Sequence, residues 1–162
     1  MLTTGEVEGA RARAAERLAA AGIILTPAEI AQIEIADFGL GRLAEIGLEV
    51  VVYVNTERVC AKELVMFPLQ ACPEHRHPPY PGSPGKEETF RVRAGLADVY
   101  IGGSTTAITL RPGEQLTVPP DTLHWFQAGP DGAIVSEFST QSRDDLDIFS
   151  DPAIRRATVI EP

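Results

Sequence analysis

Histidine is scarce in this sequence, with three among 162 residues, and cysteine is scarcer, with two. Cys60 and Cys72 form no CxxC pair and are too few for a disulfide framework, so both read as reduced thiols, Cys72 as a packing residue. Cations are short as well. Against 23 Asp and Glu stand 14 Lys and Arg, and without a positive excess nothing is available to displace the counterions of nucleic acid, which is therefore excluded as a partner. No apolar run approaches the roughly 20 residues that cross a bilayer, and Met1 to Glu8 is not a basic-then-apolar leader. The chain reads as soluble, cytoplasmic and without a membrane partner. Its 162 residues suffice for one domain with a core of its own.

What is present divides into a helical beginning and a β-rich remainder. Gly5 to Ala21, rich in Ala, Arg and Glu with almost no β-branched residues, predicts a helix that Gly22 ends. Thr26, Pro27 and Glu29 occupy the N-cap, first-turn and N3 places of a capping box and predict a second helix to about Ile35. Leu40 to Ile46 predicts a third, short one. From Leu48 the β-formers take over. Strands are expected at Leu48 to Val54, Val59 to Phe67, Glu88 to Val92, Ala97 to Ile101, Ala107 to Leu110, Gln115 to Val118, His124 to Gln127 and Ala133 to Phe138. Turn residues separate them at Pro78 to Gly85, Gly102-Gly103, Pro112-Gly113, Pro119-Pro120-Asp121 and Gly129 to Gly132. Short strands so punctuated predict a sandwich or barrel. Asp144, Asp145 and Asp147 read as a solvated acidic loop, and the tail from Pro152 is expected to cross the barrel surface.

The three histidines all fall in two short β segments. His75 and His77 flank one residue, so on extended backbone both rings project to one face, as a shared metal ion requires. Glu88 opens the following strand, and His124 follows the Pro119 to Thr122 turn. Gly95 lies seven residues after Glu88, and Gly113 six before Pro119. These residues resemble the two motifs of the cupin superfamily, with a longer gap than usual between His77 and Glu88 and with Asp121 and Ala128 where the second motif has glycine and asparagine. The resemblance implies a double-stranded β-helix, or jelly-roll barrel, in residues 25–162, an N-terminal helical extension in 1–24, and His75, His77, Glu88 and His124 as metal ligands. Glu87 competes for the ligand role, but the spacing to Gly95 selects Glu88, and strand parity agrees, since Glu88, Phe90 and Val92 share the inner face. Three imidazoles and a carboxylate suit Mn, Fe, Zn, Ni or Co better than Ca or Mg.

Further stretches extend the likeness. Ala36 to Gly39, Val52 to Thr56, Cys60 to Leu64, Cys72 to Pro78, Gly85 to Arg91, Leu123 to Gly129, Ser136 to Ser139 and Asp147 to Phe149 resemble those of the bacterial D-lyxose ketol-isomerases. The resemblance implies a manganese-dependent aldose–ketose isomerase acting on D-lyxose and D-xylulose and on the D-mannose and D-fructose pair. Such an enzyme works through an enediolate whose charge the metal stabilises, or alternatively through a hydride shift. Glu137, a charge in an apolar strand, is the candidate base, and Lys86, inward by parity beside Glu88, its partner on the oxygen. Substrate contacts are assigned to Gln127, Asp147 and Arg155, while Trp125 and Phe126 read as packing residues. Two other readings remain open at this level, a cupin dioxygenase and a non-catalytic sugar-binding cupin. A homodimer that covers sheet edges is expected.

Overall fold

The computed structural model describes residues 1–161. After the two-residue strand β1 (Leu2–Thr3), Thr3 caps helix α1 (Thr4–Ala20): its hydroxyl accepts from the Glu6 amide, and the Glu6 carboxylate accepts in return from the Thr3 amide at 2.7 Å. Val7, Ala10, Ala14 and Leu18, three or four residues apart, form the buried stripe of α1, which packs with Ile33, Ile35, Val51, Val65 and Ile134. Thr26 caps α2 (Pro27–Ala31) as the sequence predicts. That helix stops early, however, and the residues expected to continue it form β2 (Glu34–Ala36), which pairs with β3. Ile33 and Ile35 are both buried, a period of two that belongs to a strand. No helix forms over residues 40–46 either. Phe38, Gly39 and Gly41 take positive φ values of 55°, 72° and 65°, and such a run of left-handed residues makes turns rather than a helix.

The remainder is an antiparallel sheet of β2, β3 (Leu48–Asn55), β4 (Cys60–Met66), β5 (Ala71–Arg76), β6 (Glu88–Ile101), β7 (Ile108–Leu110), β8 (Gln115–Val118), β9 (His124–Ser139) and β10 (Ile148–Phe149). The long β9 organises it. One side of β9 pairs with β6 along its whole length, while the other pairs first with β5 and then with β4, so the sheet curls about the middle of β9 and stays partly open. Strands expected as separate pairs have fused: Glu88 to Val92 with Ala97 to Ile101 in β6, and His124 to Gln127 with Ala133 to Phe138 in β9. The glycines between them are bends inside strands. Gly95 and Gly132 sit at φ 72° and 78°, and a Cβ on Gly95 would lie 2.0 Å from the Gly132 carbonyl oxygen. Glycine at 95 permits this close approach, and a Cβ on Gly132 would in turn lie 2.5 Å from the Met66 carbonyl oxygen on the neighbouring β4.

Inside the curl lies a cluster of Leu48, Val50, Leu64, Phe90, Val92, Val135 and others. The tail closes one side of it. Ile154 inserts into this cluster, the Arg155 amide donates to the Phe38 carbonyl at 2.9 Å, and β11 (Ile160–Glu161) pairs in parallel with β1. The chain from Pro152 thus runs over the sheet as the sequence predicts.

Candidate metal centre

His75 and His124 face each other across the β5–β9 ladder, where they are register partners. His77 follows one residue past the end of β5, and Glu88 is the first residue of β6. All four side chains are buried, and one ligand atom from each falls within 4.8 Å of the others. Every imidazole is anchored from behind. His75 Nδ1 lies 2.8 Å from the Pro73 carbonyl, His124 Nδ1 lies 2.9 Å from the Thr122 carbonyl, and His77 Nδ1 lies 2.6 Å from Asp147 Oδ1. A carbonyl only accepts, so Nδ1 carries the proton in His75 and His124, and their Nε2 lone pairs are left for the centre.

That tautomer tests whether a cation fits. His124 Nε2 is 2.7 Å from Glu88 Oε1, yet it makes no hydrogen bond, because neither atom brings a proton to the contact. Two buried lone pairs pointed at each other are unfavourable alone and favourable around a shared positive ion. The cluster is therefore able to chelate a divalent metal ion through His75, His77, Glu88 and His124. Electrostatics agree. Burial, reinforced by the neighbouring imidazoles, pushes His75 well below the ordinary histidine range, which keeps it neutral. Burial would raise the Glu88 carboxyl, but Lys86 and His77 outweigh it and hold it well below the usual carboxylate range. Burial would lower His77, but Glu88 and Asp147 outweigh it and raise it to about 9, so the space between the two carboxylates favours positive charge.

Beside the cluster runs a file of charges of alternating sign. Lys86 Nζ lies 2.6 Å from Glu88 Oε2 and 2.6 Å from Glu137 Oε1, so one ammonium bridges two buried carboxylates. Glu137 Oε1 is in turn 3.9 Å from Lys62 Nζ, its ladder neighbour on β4. Lys62 bonds the Asp144 carboxylate at 3.0 Å, Asp144 pairs with Arg156 at 3.2 Å, and Arg156 pairs with Glu34 at 2.5 Å. Burial alone would lower Lys86, but Glu137 and Glu88 outweigh it and raise the ammonium well above its ordinary value. Lys62 is likewise raised, with Glu137 and Asp144 overcoming burial. Lys86 owes its place to Gly85, whose φ of 106° lets the loop pass so close that a Cβ would lie 2.4 Å from the His77 carbonyl oxygen.

His75, His77, Glu88, Lys86, Glu137 and Asp147 all line one cavity, together with Lys62, Asp144, Arg156 and an apolar wall that includes Phe90, Phe126 and Phe149. Two residues assigned to substrate contact lie elsewhere. Gln127 projects from the outer face of β9, where its amide donates to the Leu69 carbonyl, since His124 and Phe126 take the inward positions. Arg155 is exposed and turns its guanidinium back on the carbonyls of Pro152 and Ile154. Its neighbour Arg156 is the arginine in the cavity. The acidic loop is not solvated throughout either: residues 144–146 form a 3-10 turn that buries most of Asp144, and Asp147 is buried against His77. Lys62 was legible by parity with Cys60 and Leu64, both buried, whereas nothing periodic in the tail distinguishes Arg156 from Arg155.

A scan against protein-family models finds no match. Among curated proteins, the D-lyxose ketol-isomerase of Cohnella laeviribosi is 54% identical over 94% of this chain and 94% of its own length. This chain belongs to the D-lyxose ketol-isomerase family. A second member, the D-lyxose/D-mannose isomerase of Thermosediminibacter oceani, is 51% identical over 99% of both chains, so the family likeness takes in the N-terminal segment as well. The fold is shared more widely than the family. The structure of the L-ribose isomerase of Cellulomonas parahominis superposes with a TM-score of 0.84 over 99% of this chain and 98% of its own, at 18% identity.

Proposed function

We propose that this D-lyxose ketol-isomerase family member is a metal-dependent aldose–ketose isomerase that interconverts D-lyxose and D-xylulose, and D-mannose and D-fructose by the same chemistry. The observation that carries this reading is Lys86 bridging Glu88 and Glu137, which sets an unliganded carboxylate beside a His/His/Glu/His cluster in a single cavity. A divalent ion bound at that cluster supplies positive charge where the sugar oxygens become anionic. Glu137 takes the proton from C2 of the open-chain aldose and returns it to C1 while the O2 hydroxyl proton passes to O1, and the reverse path uses the same carboxylate. Lys86, held as ammonium, stabilises the developing oxygen charge. Asp147 fixes the His77 ring, and the phenylalanine wall keeps water from the carbanion-like intermediate.

Manganese is the ion assigned to His75, His77, Glu88 and His124, whose mixed nitrogen and oxygen donors favour it over calcium or magnesium. The curled sheet is read as a cupin jelly roll formed by residues 25–162, with residues 1–24 as a helical extension docked on its outer face. A homodimer is supported by exposed apolar side chains on the outer sheet, among them Val52, Val54 and Phe138. A cytoplasmic location accords with two free, buried cysteines, and the acidic balance speaks against nucleic acid as a partner.

The test is metal analysis of the purified protein combined with D-lyxose conversion, without oxygen, before and after chelation. Conversion that is lost on chelation and restored by Mn2+ is the expected result. Tight sugar binding with no interconversion under any metal overturns the isomerase reading.

A further inference from the structure

The file of alternating charges has one link that is not closed. Lys86 touches both of its carboxylates at 2.6 Å, and Lys62 touches Asp144 at 3.0 Å, but Lys62 Nζ and Glu137 Oε1 stand 3.9 Å apart, beyond hydrogen-bond reach. Both groups are buried and both line the cavity. Among the described residues, Glu137 Oε1 has the Lys86 ammonium at 2.6 Å and a side towards Lys62 that no donor fills. On the other side, Lys62 has spent two of its three N–H directions, one on Ser142 Oγ at 2.9 Å and one on the Asp144 carboxylate. An ammonium so deeply placed, with a donor left over, is costly unless something accepts from it.

We infer that Lys62 is a substrate-binding and specificity-determining residue, whose remaining N–H donates to the sugar hydroxyl on C3. Glu137 must reach the hydrogens of C1 and C2 to act as the base. The oxygen one carbon further along the chain then falls between Glu137 and Lys62, accepting from the Lys62 ammonium and donating to Glu137 Oε1 on the side that faces Lys62. Ser142 and Asp144 hold Lys62 from behind, and Arg156, tied to Glu34, holds Asp144. The C-terminal tail thereby stiffens the group that reads C3, although Arg156 need not touch the sugar itself. Pairing by Asp144 leaves Lys62 charged, and a charged donor discriminates strongly against a sugar that has no acceptor at that carbon.

This inference rests on the isomerase reading, and conversion of D-lyxose by the unaltered protein decides that reading first. The further test is a cycle between the K62M variant and the 3-deoxy analogue of D-lyxose, with kcat/KM measured for all four combinations on metal-loaded protein. Each single change is expected to lower kcat/KM by about 10- to 100-fold. Both together should lower it hardly more than one alone, because the same hydrogen bond is removed twice. The Kd of the corresponding alditols, with and without the C3 hydroxyl, should follow the same pattern without turnover. Losses that multiply would mean that Lys62 acts only through Glu137 or through the fold, and the inference would fall. Should K62M not fold, the paired K62M/D144N variant takes its place, with thermal melting and metal content as controls. Independently of any variant, unaltered protein that turns over the 3-deoxy sugar as well as D-lyxose overturns the assignment.

Discussion

Asp147 holds His77: its Oδ1 stands 2.6 Å from His77 Nδ1, behind the face on which His77 Nε2 meets Glu88 at 3.1 Å. The other two imidazoles are oriented by backbone carbonyls that no substitution can remove. His77 alone depends on a side chain. Replacing Asp147 by Ala should weaken divalent-metal affinity by about 10- to 100-fold while the protein stays folded. Competition against a metal indicator measures this, and an unchanged affinity would remove Asp147 from the support of the centre.

Glu137 lies outside the set of four ligands and in front of it. The E137Q substitution keeps its shape and removes its basicity, so kcat should drop by roughly 100- to 10,000-fold or more. Metal content should stay that of the unaltered protein. Retained turnover would take Glu137 out of the mechanism, and lost metal would show that it is a ligand after all.

Gly85 carries a backbone constraint that reaches two functional residues together. With φ at 106° and the His77 carbonyl 2.4 Å from any added Cβ, G85A must displace the His77 backbone, the Lys86 backbone or both. Strain of about 1–3 kcal/mol is expected in the melting behaviour. Metal affinity and turnover should fall with it. A G85A protein with normal metal binding and normal kcat would show that the loop has slack the geometry denies.

Glu49 is buried away from the centre, with Oε1 accepting from Gln70 at 3.3 Å and Oε2 unpartnered among the described residues. Burial raises its carboxyl from 4.5 to about 8, outweighing the Gln70 bond and the charges of Arg13 and Arg17. A carboxyl whose value is higher in the folded state contributes stability that is full below about pH 4.5 and lost as pH rises towards about 8. The E49Q variant lacks this slope. Melting temperatures of the two proteins, compared across that window, should diverge in favour of E49Q as pH rises; parallel curves would show that Glu49 ionises freely.

The centre was legible because strands impose a period of two, and the histidines and Glu88 sit on extended backbone where that period applies. Lys86 follows from the same parity, and Glu137 from the cost of a charge in an apolar strand. Lys62 obeys it too, between Cys60 and Leu64, but a lysine in a strand draws less notice than a glutamate in an apolar run. The tail and the 144–147 turn have no period, so nothing in the sequence tells Arg156 from Arg155 or a half-buried Asp144 from a solvated one. In the fold, β2 reads as helix from sequence because the capping box at Thr26 is strong and the strand after it is only three residues long. The fused strands escaped because Gly95 and Gly132 normally announce turns; here they bend a continuous ladder, which only the tertiary pairing reveals.

The sequence of signs from Glu88 through Lys86, Glu137, Lys62, Asp144 and Arg156 to Glu34 also restricts how this family member can drift. Neutralising any interior member of that row leaves two like charges as neighbours. Substitutions there therefore cost least in complementary couples, and the row behaves energetically as one unit rather than as seven separate residues.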